Sequence, residues 1–408
     1  MKCRHCNSEL KFVFADLGTS PPSNSFLRED QLKKPELFYP LRVLVCEVCF
    51  LVQAEDFTNR EEFFSNDYAY FSSFSTTWLT HAKNYIEKVV SKFLLDKDSF
   101  VVEVASNDGY LLQFVKNLLI PCLGIEPTKS TADAATLKGI PTLQEFFGKK
   151  LAESLVKENR KADLTVANNV LAHVPDINDF VSGFATLLKD TGVSTFEFPH
   201  LMQLVNHTQF DTIYHEHYSY LSLFSVQKIF SANGLEVFDV EELQTHGGSL
   251  RVYAQKKNIG KHKITDSVVK LIEEEKQLGI DNLSFYKGFQ KEINVVKNRM
   301  LEFLIQATEK NKLVAGYGAA AKGNTFINYS GLRSDLISFV VDKNPYKQNK
   351  FLPGSRIPIY DETRIKEEKP DYIVIFPWNL KAEIQNQLSY IREWGGKFVV
   401  AIPELEVF

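Results

Sequence analysis

Ser99-Phe100-Val101-Val102-Glu103-Val104-Ala105-Ser106-Asn107-Asp108-Gly109-Tyr110 is the stretch on which the fold turns. Its first half is short and β-branched, so residues 99–104 read as a strand that ends in the tight turn Ser106-Asn107-Asp108-Gly109. Working outward, helix and strand patterns alternate: helix 110–119, strand 122–125, helix 130–138, a short strand near Thr142, helix 149–158, strand 162–167, helix 177–188 and strand 192–198. Such alternation predicts a parallel, doubly wound α/β sheet that binds ligands beyond the carboxyl ends of its strands. A helix at 78–95 precedes the sheet, and a helix at 225–233 with strands at 235–240 and 249–254 follows it.

The flanks have other patterns. Residues 1–75 hold two close cysteine pairs, a turn-rich stretch at 18–25, a β-like run at 41–45 and a string of aromatics at 63–74, which suits a small metal-stapled module. Residues 267–310 are charged and amphipathic, two helices broken near 279–282. The last hundred residues begin a second α/β pattern, with strands at 313–316, 336–341, 372–376 and 397–402. The expected division is a zinc-binding module at 1–75, a Rossmann-like domain at 76–262, and a helical linker with a C-terminal Rossmann-like α/β domain at 263–408.

Bulk properties agree with several domains. A chain of 408 residues exceeds the size at which one core usually stops growing. With 47 basic against 51 acidic side chains, the net charge of -4 gives no electrostatic reason to expect nucleic acid or an anionic membrane as partner. No signal-like or membrane-spanning apolar run is present, so a cytoplasmic location is expected, where paired cysteines favour metal over disulfide.

Cys3-x-x-Cys6 and Cys46-x-x-Cys49 each offer two thiolates from a turn, and two such knuckles supply the four sulfur ligands of a closed, structural zinc site. His5 inside the first knuckle could substitute as a ligand but is expected to face solvent, and Cys122 is expected to be core rather than catalytic. In the first α/β domain, Glu103-x-Ala105-x-Asn107-x-Gly109 lacks two of the three glycines of a dinucleotide fingerprint, so an ordinary strand-to-helix turn is its plain alternative. Glu126, which ends the next strand, is placed to bind both ribose hydroxyls of an adenosine, and Asn168-Asn169 follows a later strand at the same edge. Without a transferable phosphate to cradle or a Lys-Ser/Thr after the turn, S-adenosylmethionine (SAM) fits better than ATP. Glu103, Ala105, Ser106, Asn107, Gly109, Tyr110, Glu126, Pro127, Asn168 and Asn169 form the expected cofactor set of a class I SAM methyltransferase domain.

Residues 210–220, Phe-Asp-Thr-Ile-Tyr-His-Glu-His-Tyr-Ser-Tyr, concentrate titratable and hydroxyl groups as no other segment does. They suit proton transfer, and a structural cluster of satisfied aromatics and imidazoles is the alternative. Thr245-His246-Gly247-Gly248-Ser249-Leu250-Arg251 is a glycine turn flanked by polar groups. Gly316-Tyr317-Gly318-Ala319-Ala320-Ala321-Lys322-Gly323 enters a helix whose amides and Lys322 suit a phosphate, with Asp342 to Lys347 as a second helper.

Taken together, these motifs make the chain resemble the three-domain SAM-dependent C-methyltransferases of deoxysugar biosynthesis, such as the dTDP-3-amino-4-ketohexose C-3 methyltransferases. The resemblance runs nearly end to end. It implies a nucleotide-linked ketosugar as acceptor, with dTDP as the default and GDP or CDP as alternatives; a monomer is the expected form. It implies His217 as general base, with Tyr214, Glu216, His173 and either Tyr68 or Tyr70 around the sugar. His246, Gly247, Ser249, Arg251, Gly318, Ala319, Lys322, Gly323, Asn324, Asp342 and Lys347 are the implied contacts to the nucleotide sugar. One departure is Ala105, where relatives often carry glycine.

The chemistry implied is abstraction of a proton from a ring carbon beside a ketone, stabilisation of the enolate, and in-line attack on the SAM methyl. An N- or O-methyltransferase on a similar sugar, and a noncatalytic protein that retains SAM or nucleotide sugar, are the competing readings.

Overall fold

The computed structural model describes residues 1–57 and 71–408, which form three sheets. The first begins with β1 (Phe12–Ser20), β2 (Tyr39–Val45) and β3 (Val52–Ala54), paired antiparallel. The turn-rich stretch 18–25 begins within the end of β1. Phe14, Ala15 and Leu17 of β1 are buried; the adjacent pair Phe14 and Ala15 coincides with a register shift between Val13 and Ala15 that interrupts simple alternation.

The central sheet holds β4 (Val101–Val104), β5 (Cys122–Ile125), β6 (Thr142–Leu143), β7 (Ala162–Asn168) and β8 (Leu188–Pro199). After β8 the chain sends β9 (Ser219–Tyr220) back to pair with β3, a pairing that local pattern could not reveal. It then completes the central sheet with β10 (Leu235–Leu243) and β11 (Ser249–Lys256), giving the order β10-β11-β8-β7-β4-β5-β6. All pairs from β8 to β6 are parallel, and β11 runs antiparallel between β8 and β10. This is the class I doubly wound α/β fold. Its direction of winding reverses at β4 and β7, so a crevice opens beyond their carboxyl ends.

The last sheet joins β12 (Val314–Tyr317), β13 (Phe339–Val341), β14 (Ile359–Tyr360), β15 (Tyr372–Ile375), β16 (Lys397–Val400) and β17 (Glu406–Val407) in the order β14-β13-β12-β15-β16-β17. Only β17 is antiparallel. Winding reverses at β12 and β15, which makes a second crevice.

The linker is broken twice, into helices Asp266–Leu278, Leu283–Tyr286 and Phe289–Glu309. The second break, absent from the sequence reading, falls at Gly288, whose φ of +90° favours glycine. Glu275 in the first helix is buried and fastens it to the central unit. Its carboxylate accepts from the Leu223 and Phe224 amides at 2.7 and 2.8 Å and from His200 Nε2 at 2.7 Å. The N-terminal module is wedged between both α/β units. Leu10, Leu44 and Leu51 pack into the central core beside Phe196 and Phe230. Phe14 stacks on Phe289 of the linker at 4.4 Å.

Candidate active site

Two left-handed residues without the freedom of glycine, Ala105 (φ +56°) and Asn107 (φ +49°), carry the chain out of β4, followed by Gly109 at +75°. A glycine at 105 would relieve the first. The strain is offset by contacts around it. Glu126, at the end of β5, accepts from the Asn107 amide at 2.9 Å and from the Thr128 amide at 2.9 Å. Asn107 Oδ1 accepts from the Ser72 amide at 2.9 Å, and Lys138 pairs with Asp108 at 3.0 Å.

Glu103 lies beneath the turn, its carboxyl pushed well above the usual range by burial, opposed by the Tyr110 hydroxyl and reinforced by Glu126 and Asp108. Across the switch point stand Asn168 and Asn169 at the end of β7. Asn169 adopts φ +53° and donates from Nδ2 to His246 Nε2 at 3.2 Å, while its Oδ1 is buried with no partner. Trp78 roofs this side, its ring 5.9 Å from Tyr110 and 5.4 Å from His246. Pro127 is half-buried beyond Glu126.

Residues 210–220 lie where the three sheets meet. His217 is 8% exposed. Its Nδ1 donates to the Thr212 carbonyl at 2.8 Å, and a carbonyl only accepts, so Nε2 carries the lone pair and receives the Tyr214 hydroxyl at 2.8 Å. Burial depresses its pKa well below the usual imidazole value, helped by neighbouring His173, so the ring is neutral. His173 packs edge-on at 4.6 Å between ring centres, and burial lowers it to about 4. Glu216 is 3% exposed, and burial raises its carboxyl to about 7 against the opposing hydrogen bonds of Asn24.

At the second crevice, Gly318 turns at φ +92°, where a Cβ would strike Pro377 at 2.6 Å. Asp342 accepts from the Ala319 amide at 2.8 Å, and Lys347 donates to the Ala319 carbonyl at 2.8 Å. Asp342 and Lys347 therefore brace the loop. Lys322 lies 4.4 Å over the Trp378 ring and donates to Asn379 Oδ1 at 3.0 Å. Burial lowers its pKa, and Asp211 opposes that shift. The Trp378 indole donates to Asp211 Oδ2 at 2.8 Å, and burial raises Asp211 to about 6. A Cβ on Gly323 would press Phe376 at 3.0 Å, and one on Gly247 would strike Trp378 at 2.2 Å, so both glycines allow close packing. Asn324 donates to the Ser23 carbonyl at 2.6 Å.

The geometry thus brings His217, Tyr214, Glu216 and His173 together, with Asn169 and His246 on one side and Lys322 on the other. Arg251 and Ser249 stand apart from this group. The Arg251 guanidinium is buried against Glu197 at 2.6 Å and over Tyr85 at 4.3 Å, and the Ser249 hydroxyl donates to the Thr245 carbonyl at 2.9 Å. Tyr68 and Tyr70 lie outside the described residues. Asn24, Asp211, Thr212, Trp378 and Asn379 were absent from the sequence-derived set. For Trp378 and Asn379 a signal existed: they follow a strand already read at 372–376, at the switch point of its sheet.

Cys3 and Cys49 approach to 3.5 Å, Cys6 and Cys46 to 3.5 Å, and all four sulfurs lie within 4.8 Å of one another. A tetrahedron with Zn–S bonds of about 2.3 Å has edges of about 3.8 Å, so the four thiolates fit zinc. Gln53 Nε2 supports the shell with a contact to Cys3 Sγ at 3.3 Å. His5 is half-buried where exposure to solvent was expected: its Nδ1 donates to Asn178 Oδ1 at 2.9 Å, which docks the knuckle on the central domain.

Three family models match in succession: "Putative zinc binding domain" over residues 3–64, "Methyltransferase domain" over 78–240 and "C-methyltransferase C-terminal domain" over 244–403. C-methyltransferase NovU of Streptomyces niveus is 31% identical over 406 residues, 100% of this chain and 96% of that one. Among solved structures, magnesium protoporphyrin IX methyltransferase (ChlM) of Synechocystis PCC 6803 with bound SAM is 14% identical, with a TM-score of 0.33 over 44% of this chain and 82% of that one. YcgJ protein of Bacillus subtilis is 14% identical, with a TM-score of 0.34 over 44% and 99% respectively. Among the described residues no helix is long and apolar enough to cross a membrane.

Proposed function

The chain belongs to the C-methyltransferase family, and from that premise we propose that it methylates C-3 of a nucleotide-linked 4-keto deoxysugar, most simply a dTDP sugar, through an enolate. The fit of SAM rests on the β4 turn: left-handed backbone at Ala105 and Asn107, the Glu126 carboxylate at the end of β5, and the unpartnered, buried Asn169 Oδ1 at the end of β7. SAM bound there supplies an electrophilic methyl group. The chain's own residues supply the rest.

One observation carries the proposal: the Nδ1–H to Thr212 bond leaves His217 Nε2 as a neutral base. A neutral imidazole can take a proton from a carbon acidified by an adjacent carbonyl, and Tyr214, already bonded to Nε2, can turn its hydroxyl toward the oxygen on which charge develops. Glu216, near half-protonation at neutral pH, suits a sugar hydroxyl or ketone as a hydrogen-bond partner. Lys322 and the amides at the start of helix Ala321–Ser330 suit the diphosphate. Family membership favours carbon over nitrogen or oxygen as the acceptor.

The test is exchange of the C-3 proton in deuterated water without SAM, followed by mass spectrometry of methyl transfer to a panel of nucleotide-linked 4-ketosugars. Absence of exchange with every sugar that is bound counts against carbon methylation.

A further inference from the structure

We propose that Asn24, carried by the metal-stapled N-terminal module, is a positioning residue for the Glu216 carboxyl group. The proposal rests on the reading of Glu216 as part of the methyl-transfer site, and it gives the N-terminal module a task beyond folding around a metal.

A single amide group faces both oxygens: Asn24 Nδ2 lies 2.8 Å from Glu216 Oε1 and 3.0 Å from Oε2. That fork fixes the plane of the carboxyl. Among the described residues Asn24 is the only side chain that donates to it, although Glu216 is almost wholly buried while Asn24 stands on an exposed turn. A buried carboxylate without donors is costly, so this one contact controls where its charge sits.

The turn itself is set by the site. Asn324 donates to the Ser23 carbonyl at 2.6 Å, and the next residue, Thr325, donates from Oγ1 to the Ile213 carbonyl at 2.9 Å. Adjacent residues of helix Ala321–Ser330 therefore fix both the turn that carries Asn24 and the segment that carries Glu216. The module grips that segment twice more, through the Tyr39 and Pro40 carbonyls, which accept from His215 Nε2 at 3.3 and 3.2 Å, and through the pairing of β3 with β9.

Asn24→Ala and the isosteric Asn24→Asp, prepared as full-length zinc-loaded protein, separate positioning from shape. Aspartate keeps the size of the side chain but replaces the donor with a second carboxylate. Expected are a kcat lowered about tenfold to a hundredfold by alanine and further by aspartate, with KM for SAM and zinc content unchanged and any fall in thermal midpoint confined to pH values at which Glu216 ionises. If Asn24 only shapes the turn, Asn24→Asp turns over like wild type, and the proposal fails. A second measurement needs no substrate: carbon-13 NMR titration of the Glu216 carboxyl, assigned with Glu216→Gln. The imidazoles near it, His173, His215 and His217, are all shifted down by burial, away from the Glu216 midpoint. Asn24→Ala must raise the titration midpoint, and an unmoved midpoint overturns the proposal. If wild type methylates no ketosugar, the reading of the site fails separately and the titration alone decides the role of Asn24.

Discussion

His217 gives its Nδ1 proton to the carbonyl oxygen of Thr212 across 2.8 Å, and that bond selects the tautomer in which Nε2 is the base. An asparagine at 217 keeps polarity but has no basic nitrogen. His217→Asn should therefore lose C-3 proton exchange and lower kcat by about 10²- to 10⁴-fold. SAM affinity, measured by calorimetry, should stay within about twofold, since the β4 turn is untouched. Exchange at the wild-type rate would remove His217 from the chemistry.

Lys322 links the two crevices, lying over Trp378 while Trp378 holds Asp211. A cation so weakly hydrated gains more from a diphosphate than an exposed one does. Lys322→Met keeps the apolar stem over the indole. It should raise KM for the nucleotide sugar about tenfold or more, leave KM for SAM unchanged, and flatten the dependence of KM on ionic strength. An unchanged KM for the nucleotide sugar would place the diphosphate elsewhere.

The four thiolates sit in the same core as Leu44, Leu51 and Phe196, so losing the metal should weaken the central unit as well as the module. Structural zinc contributes about 10–16 kcal/mol of apparent binding energy in isolated fingers, much of which appears here as folding energy. Cys46→Ser should lower both zinc stoichiometry and thermal midpoint, read by atomic absorption and calorimetry. A variant that keeps its metal and midpoint would show that Cys46 is not a ligand.

The two α/β patterns and the cysteine knuckles were legible because each depends on residues close in sequence: alternation over 99–198, and thiols three apart. What escaped was set by distant partners. β9 is two residues long and owes its existence to β3. Asn24 lies 192 positions from Glu216, and nothing around it marks an exposed asparagine as the partner of a buried acid. Arg251 was implied at the substrate by the family resemblance; its buried pairing with Glu197, at 2.6 Å, depends on a neighbouring strand that its own motif does not mark. Ala105 was noted as a departure, but its cost became visible only with its φ of +56°.

Glu216 also carries a cost that depends on pH. Its carboxyl is raised to about 7 chiefly by burial, whereas an unfolded glutamate titrates near 4.3. A group raised in the folded state contributes stability that is whole below the unfolded value and is lost as pH rises through the folded one. Wild type must therefore lose stability between about pH 4 and pH 7 from this group, by an amount on the order of 4 kcal/mol at most. His173 and His246, both lowered to about 4, act with the opposite sign over the same window, but they are common to wild type and variant and drop out of the comparison. Glutamine at 216 keeps a carbonyl that can accept from Asn24 and carries no charge at any pH. Glu216→Gln should consequently match wild type in denaturant unfolding at pH 4.5 and exceed it at pH 8, while methyl transfer is lost. A stability gap that is the same at both pH values would mean that the Glu216 carboxyl ionises as freely in the folded chain as in the unfolded one, and that its burial places no strain on the site.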